Sequence, residues 1–254
     1  MECIFINDNN VKILLPETHP FSQQYSTRVH AEALFRKITS YLIVNNMIKN
    51  NIIDLGCWMG DNVIPWAKNI NGIIYAIDPS EQNCSFIKLL SEINNVSNVQ
   101  IIQNAISDKN EILSTNDPIN HCSFVYPPVG TDGQTKVNAY SLDYLYSEKV
   151  IGNIDYIHLD VEGMEFKVVL GANEIIDNFR PIVAFEQHIE SENYMELAQH
   201  FKNKNYIVYL INESFPGCRH DCRNLIAFPC EKIYSELIND IHVYLNQNNI
   251  LINI

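Results

Sequence analysis

Acidic and glycine residues follow two predicted strands in an order that suits the binding of a small cofactor. In the stretch IIDLGCWMGDNVIPWA (52–67), Asp54, Gly56 and Gly60 stand between an apolar run and a predicted helix. The next apolar run ends at Asp78. Glycines let the backbone turn sharply and approach a ligand closely, and free N–H groups at a helix start bind anions. These residues predict a cofactor-binding loop.

The acid before the glycines favours one cofactor class. The spacing D-x-G-x-x-x-G, from Asp54 to Gly60, differs from the G-x-G-x-x-G of dinucleotide-binding loops. A carboxylate there would repel a pyrophosphate, but it suits an amino group or a sulfonium. S-adenosylmethionine carries both, and its carboxylate can meet the loop. Asp78 lies about 20 residues beyond the loop, where such folds bind ribose hydroxyls. A doubly wound fold without a cofactor is the alternative.

A second polar set follows two later predicted strands. Asp160 and Glu162 follow one strand, and Glu186 and His188 follow the next. Members of each pair are two residues apart and face one side of an extended strand. His188, Glu186 or Asp160 could be the general base for an acceptor hydroxyl. Alternatively, Asp160 and Glu186 could hold Mg²⁺ or Mn²⁺ together with Gln187 or His188. Helix capping and core hydrogen bonds are the structural alternatives.

The elements that must position these residues alternate between short apolar runs and helical patterns. The predicted strands are 51–55, 72–77, 99–103, 154–159, 181–185, 206–211 and 225–228, and the predicted helices are 61–68, 80–93, 141–145, 162–170, 191–203 and 231–245. Such β–α units predict a mostly parallel sheet with helices on both faces. No long helix separates the last two strands, so they are expected to pair antiparallel. Turn signals in 107–139 predict a hairpin-like excursion.

Composition narrows the class of protein. The 254 residues are 46% apolar, and the net charge of −13 argues against general nucleic-acid binding. The start, MECIFINDNN, is too short and polar for a signal peptide, and no long apolar run predicts a membrane span. Seven scattered cysteines favour free thiols in a reducing cytoplasm. Cys218, His220, Cys222 and Cys230 form an incomplete zinc pattern, so free thiols are preferred to a metal there.

Six stretches of the chain resemble the FkbM family of S-adenosylmethionine-dependent methyltransferases. They are, in order, IIDLGCWMGDN, IYAIDPS, NVQIIQNAISD, YSLDYL, IDYIHLDVEGMEFKVVLGA and RPIVAFEQH. The most specific part is the segment 159–165, which matches the family pattern D-x-E-G-x-E. The resemblance covers about residues 50–230. It implies a three-layer, Rossmann-like α/β methyltransferase fold, with a seven-stranded, mostly parallel sheet and one antiparallel strand near the C-terminus.

The resemblance also implies roles for single residues. Asp54, Gly56 and Gly60 are expected to hold the methionine end of the cofactor, and Asp78 the ribose. The residues expected to flank the adenine are Asn104, Ala105 and Asp108. The chain departs from the family pattern at His158, where lysine is usual, and at Cys57 and Trp58, where small residues are common.

Two regions are expected to surround the acceptor. Residues 1–49 are predicted to form an N-terminal helical cap, and 50–254 the methyltransferase domain with an acceptor-facing insertion at about 107–140. In the cap, Tyr25 and Arg28 precede an amphipathic stretch (31–42) and are candidates to contact cofactor or acceptor. A solvated helix entrance is the alternative. In the insertion, the candidates to stack on a sugar are Phe124, Tyr126 and Tyr140.

The predicted activity is O-methylation of a hydroxyl on a saccharide or glycoconjugate, with S-adenosylmethionine as donor. The expected partner is a small-molecule or glycan acceptor. Alternatives are a lipid, a phosphoryl substituent, a peptide or a natural-product hydroxyl as acceptor. From other classes, the alternatives are a nicotinamide-dependent oxidoreductase on a similar fold and an inactive cofactor-binding subunit.

Overall fold

A twisted eight-stranded sheet is the centre of the protein. The computed structural model describes residues 1–115, 135–190, 194–214 and 220–254. The strands of the sheet are β3 (Asn51–Leu55), β4 (Ile74–Ile77), β5 (Val99–Ile102), β9 (Ile154–Leu159), β10 (Ile182–His188), β11 (Tyr206–Ile211), β12 (Cys222–Pro229) and β13 (Leu251–Asn253). Their order across the sheet is β13-β11-β12-β10-β9-β3-β4-β5. The central strands β3 and β4 are rich in apolar residues and almost wholly buried, as expected where helices cover both faces.

Helices pack on both faces of this sheet and complete the predicted three layers. One face carries α5 (Leu142–Ser147), α6 (Glu165–Leu170), α7 (Asn173–Phe179) and α8 (Tyr194–Asn203). The other carries α2 (Ala33–Val44), α3 (Val63–Ala67), α4 (Glu81–Ile93) and α9 (Leu237–Tyr244). As predicted, Ser80 caps α4, where its Oγ accepts the Asn83 N–H at 3.3 Å.

Strand direction follows the predicted pattern, with one addition. The strands β5, β4, β3, β9 and β10 are parallel, and β12 pairs antiparallel with both β10 and β11. The antiparallel pairing of the last two predicted strands is therefore confirmed. An eighth strand, β13, pairs antiparallel with β11 and forms one edge of the sheet. The fold class holds, while the sheet has eight strands instead of seven.

Several helices differ from their predicted bounds. The chain takes positive φ at Glu162 and Gly163, so α6 begins only at Glu165 and Glu162 lies in the preceding turn. The closing helix begins at Leu237 instead of Glu231, after a short 3-10 turn. The helix α7 was not predicted. Turns that follow a strand depend on backbone contacts that helical periodicity does not reveal.

The N-terminal segment combines a hairpin with helices. The strands β1 (Glu2–Ile6) and β2 (Lys12–Pro16) pair antiparallel, and α1 (Ser22–Arg28) and α2 follow. The helical part was expected from the sequence, whereas the hairpin was not. The hairpin, α1, α3 and α4 share a small core built on Leu15, Tyr25 and Phe86. The segment thus covers the side of the sheet where the predicted cofactor loop lies.

The predicted excursion contains a second, small sheet. The strands β7 (Glu111–Thr115) and β8 (Thr135–Tyr140) pair antiparallel, and β6 (Ala105–Ile106) pairs parallel with β8. The candidate residues Phe124 and Tyr126 lie outside the described residues. Tyr140 stacks on Tyr144, with ring centroids 5.3 Å apart. Across the described ranges, no helix has the length and apolar character needed to cross a membrane.

Candidate functional site

The loop from β3 to α3 is shaped by two glycines with left-handed backbone. Gly56 has φ +71°, and a Cβ there would lie 1.7 Å from the carbonyl oxygen of Asp160. Gly60 has φ +74°, and a Cβ there would meet Ile87 of α4 at 2.9 Å. Both positions therefore require glycine, because a side chain would drive the loop away from β9 and α4.

Asp78 ties this loop to the end of β4. Its Oδ2 accepts the Trp58 N–H at 3.0 Å, and its Oδ1 accepts the Ser80 N–H at 2.8 Å and an Asn83 side-chain N–H at 3.0 Å. Burial raises the pKa of Asp78 to about 6. A carboxylate can accept about four hydrogen bonds, so the three contacts leave capacity for one ligand hydroxyl.

Backbone donors line the second half of the loop. Trp58 takes a positive φ of 39°, an unfavourable conformation that its bond to Asp78 helps to hold. Within the described residues, the N–H groups of Met59, Asp61 and Asn62 donate to no other residue. Consecutive N–H groups without acceptors can bind a ligand carboxylate. The loop thus fits the carboxylate of a methionine moiety, and Asp78 fits a ribose hydroxyl.

Asp54 lies beneath the loop in a buried pair with His158. The His158 Nδ1 donates to Asp54 Oδ1 at 2.7 Å, and Asp54 is only 1% exposed. His158 also stacks on Phe35 at 4.9 Å. Burial raises the pKa of Asp54. Burial alone would lower the pKa of His158, but Asp54 outweighs it and raises that pKa. The pair therefore keeps its proton and supports the loop from below.

The residues expected at the adenine lie on both sides of β6. Asn104 directly precedes Ala105, which is buried and pairs with Ala139 of β8. Asp108 lies at the end of α6, since a Cβ on Gly171 would be 2.9 Å from the Asp108 Cα. Contact of these residues with a cofactor stays a prediction.

Carboxyl groups collect at the ends of β9 and β10, as predicted. Burial and the neighbouring Glu32 raise the pKa of Asp160, and burial and Asp160 raise that of Glu186. Glu162 is exposed, and Glu165 accepts the N–H groups of Val161 and Gly163 at 3.2 and 3.1 Å. Near neutral pH the Asp160–Glu186 pair therefore holds at least one proton.

His188 stands between this cluster and a buried carboxylate, Asp221, that directly precedes β12. Its Nδ1 lies 3.4 Å from Asp221 Oδ1, and its Nε2 lies 4.0 Å from Glu186 Oε1. The His188 side chain is 31% exposed, whereas that of Asp221 is fully buried. Asp221 is held in place because its carbonyl accepts the Ile189 N–H at 2.9 Å. Asp221 was not among the residues predicted for this site.

A buried polar network connects the N-terminal segment to the site. Arg36, on the inner face of α2, is 1% exposed and contacts Asp61 and Asn62 of the loop. Glu32 accepts a side-chain N–H of Asn224 at 2.6 Å, and Asn224 lies opposite Glu186 in the β10–β12 register. In the sequence, the feature that points to this network is Arg36, a charged residue on the apolar face of the amphipathic stretch 31–42.

The metal predictions gain no support from the described residues. Over those ranges, no group of three or more His, Cys, Asp or Glu residues is arranged to hold a metal ion. Of the zinc candidates, Cys218 lies outside the described residues, and Cys222 is disulfide-bonded. The expectation of free thiols is thus wrong for Cys222, while Cys3, Cys57, Cys84 and Cys230 are free.

The sheet and the loop together match a Rossmann-like methyltransferase fold. In that fold, a glycine loop after the first central strand faces an acid after the second. Family comparison agrees. The sequence model of the Methyltransferase FkbM domain matches residues 51–208. The chain belongs to the FkbM methyltransferase family, and the predicted family and enzyme class are confirmed. The matched region begins at β3 and leaves out the N-terminal segment.

A solved structure with a TM-score above 0.5 has a similar fold. The methyltransferase FkbM from Methylobacillus flagellatus KT is 15% identical with a TM-score of 0.52, covering 71% of this chain and 44% of that one. The precorrin-6y C5,15-methyltransferase from Geobacter metallireducens GS-15 is 10% identical (TM-score 0.45), covering 78% of this chain and 88% of that one. A putative methyltransferase from Streptococcus mutans, in complex with SAH, is 12% identical (TM-score 0.45), with coverages of 74% and 92%. Among curated proteins, none has a sequence that matches this chain.

Proposed function

We propose that the protein transfers a methyl group from S-adenosylmethionine to a hydroxyl of a saccharide or glycoconjugate. The observation that carries this proposal is the bond from the Trp58 N–H to Asp78 at 3.0 Å, which joins the glycine loop to the end of β4. This bond places the unpaired N–H groups of the loop beside the Asp78 carboxylate, which can accept one more hydrogen bond. Family membership supports the same chemistry.

The cofactor supplies an electrophilic methyl group on a sulfonium, whose sulfur keeps the bonding electron pair as the methyl leaves. The protein has to align the acceptor oxygen with that methyl group and remove the hydroxyl proton. The loop and Asp78 would hold the two ends of the cofactor. The strand ends of β9 and β10 lie beside the loop in the sheet and would face the acceptor.

His188 is the favoured base for the acceptor hydroxyl. A carboxylate facing Nδ1 favours the tautomer that carries its proton there, so that Nε2 keeps a free electron pair. Asp221 occupies that position. The raised pKa values of Asp160 and Glu186 leave a proton on that pair near neutral pH. These acids would then orient the acceptor by hydrogen bonds. His188→Ala should lose roughly 10²–10⁴ in turnover.

A metal ion bound by Asp160 and Glu186 is the competing way to activate the hydroxyl. Mg²⁺ or Mn²⁺ would lower the pKa of a bound hydroxyl and make a separate base unnecessary. The two carboxyl groups are neighbours at the ends of adjacent strands. A chelation experiment separates this mechanism from a histidine base.

Two measurements test the function. Calorimetry should show that the full chain binds S-adenosylmethionine and S-adenosylhomocysteine, and NADH serves as the control for the oxidoreductase alternative. Absence of binding by folded protein would overturn the proposal. A panel of nucleotide sugars and glycans with isotopically labelled cofactor would then identify the acceptor. Transfer only to lipids or peptides would contradict the saccharide assignment and leave the methyltransferase assignment intact.

A further inference from the structure

The side chain of Arg36 is sealed inside the protein and contacts the cofactor loop. Its Nε donates to the Ala31 carbonyl at 2.8 Å. Its Nη1 donates to the Asp61 carbonyl at 3.0 Å and to Asn62 Oδ1 at 2.5 Å, and its Nη2 donates to Asp61 Oδ2 at 2.7 Å. A guanidinium holds such a set of acceptors in a rigid, planar arrangement. Asp61 is thus fixed through its backbone and its side chain, and Asn62 through its side chain.

The loop residues that Arg36 holds carry unpaired donors. In the described structure, the N–H groups of Asp61 and Asn62 have no acceptor. Asp61 also brings a buried carboxylate into the same turn. Burial alone would raise the pKa of that carboxyl, but Arg36 and Arg28 outweigh burial and lower it. Asp61 is therefore ionised, and its charge is balanced by arginine.

A balanced charge matters because the expected ligand carries a carboxylate. An unpaired anion beside the loop N–H groups would repel that carboxylate, and the low local dielectric would strengthen the repulsion. Arg28 adds a second contact from the same segment, since its guanidinium lies 5.5 Å from the centroid of the Trp58 ring. Both arginines precede residue 51, where the family match begins.

We propose that Arg36 is a positioning residue for the cofactor: it fixes Asp61 and Asn62 and neutralises the Asp61 carboxylate, so that the loop N–H groups bind the carboxylate of the methionine end. The inference rests on the proposed binding of S-adenosylmethionine. It makes the N-terminal segment part of the cofactor site, beyond its packing on the domain.

The test compares two ligands that differ only in the carboxylate. Affinities of S-adenosylmethionine and decarboxylated S-adenosylmethionine are measured by calorimetry on the full chain at about pH 8, where a carboxyl group is ionised. Arg36→Met should weaken binding of the first about 10- to 100-fold. Binding of the second should change by less than about threefold, because it has no carboxylate to repel. An equal loss for both ligands would overturn the proposal.

Two further variants keep the test decisive. Asp61→Asn removes the negative charge and keeps Arg36, so its affinity for S-adenosylmethionine should rise relative to its affinity for the decarboxylated ligand. This variant decides the question if Arg36→Met does not fold, and a selective loss of S-adenosylmethionine binding would overturn the proposal. The double variant Arg36→Met/Asp61→Asn should recover most of the affinity, since neither charge remains. A double variant as weak as Arg36→Met would contradict charge balance.

The matched control is Arg180→Met. Arg180 also donates to one carboxylate, Glu231 at 2.7 Å, and to backbone carbonyls of Lys204 and Asn205 at 2.8 and 3.0 Å. Arg180 precedes β10 and therefore lies at the amino ends of the parallel strands, whereas the loop lies at their carboxyl ends. Its loss should lower stability without changing the ratio of the two affinities. If wild-type protein binds neither ligand, the proposed function itself fails, which is a different outcome from equal losses in Arg36→Met.

Discussion

Two pairs of a histidine and an aspartate lie near the C-terminal ends of the parallel strands and differ in their surroundings. His158 and Asp54 are joined at 2.7 Å and sealed between α2, α3 and the sheet. His188 and Asp221 approach only to 3.4 Å, and the imidazole is 31% exposed. The same two chemical groups thus form a closed support under the cofactor loop in one place and an open polar group at the strand ends in the other.

Burial gives the His158–Asp54 pair a structural role and leaves His188 free for a chemical one. A buried pair that loses one member leaves an uncompensated polar group, so stability depends on it. A partly exposed histidine can exchange protons with solvent and reach a ligand, as a base must. His220 and Glu190, 3.1 Å apart with the His220 side chain 78% exposed, form a third pair that serves as a surface control.

The largest expected effect is on stability. His158→Ala should lower the free energy of unfolding by about 3–5 kcal/mol, because Asp54 stays buried without its donor. His188→Ala should cost about 1 kcal/mol or less, because the imidazole is already partly exposed and approaches Asp221 only to 3.4 Å, and His220→Ala less than about 0.5 kcal/mol. Urea unfolding of the three variants measures this order. Equal costs for His158→Ala and His188→Ala would remove the distinction between the pairs.

Gly60→Val should abolish detectable cofactor binding. The new side chain would meet Ile87 and take a positive φ, so the loop must move away from α4. Binding of S-adenosylhomocysteine should weaken at least about 100-fold while circular dichroism shows a folded sheet. The control is Gly152→Ala, where a Cβ would have 3.3 Å to its nearest neighbour at the amino edge. Normal binding by Gly60→Val would show that the loop does not hold the ligand.

Asp78 should make cofactor affinity depend on pH. Its raised pKa of about 6 means that the carboxyl is protonated below that pH and accepts a ribose hydroxyl less well. Affinity for S-adenosylhomocysteine should rise by about tenfold between pH 5 and 7 and then level off. Asp78→Ala should cost about 1–3 kcal/mol of binding and flatten this profile. An unchanged profile in the variant would remove Asp78 from the ribose site.

The smallest expected effect is that of chelation. If His188 is the base, EDTA should leave turnover unchanged on the acceptor found by screening, and Asp160→Asn and Glu186→Gln should each retain part of the activity. The measurement is labelled methyl transfer before and after chelation. Loss of activity that Mg²⁺ or Mn²⁺ restores would instead place a metal ion on Asp160 and Glu186 and make His188 a supporting residue.

Much of the fold follows from local sequence patterns. Apolar runs such as 52–55 and 154–159 are long enough for buried strands, and Ser80 and Ser141 mark helix starts that the structure contains. The position of Asp78 after a predicted strand placed it next to the loop, because parallel strands end at one edge. Patterns did not predict β13 or the turn at Glu162, since both depend on contacts made only after the sheet has formed.

What the sequence alone determined was which residues follow which strand, and hence which side chains meet at the carboxyl edge of the sheet. It determined the glycines of the loop, Asp78 and the four polar residues from Asp160 to His188, because their type and spacing are local properties. Tertiary structure decided what each one does there. Asp54 came to lie beneath the loop and Glu162 in an exposed turn after β9, while Arg36 and Asp221 joined the site from distant segments. Burial and pairing depend on elements far apart in sequence, and only packing brings those elements together.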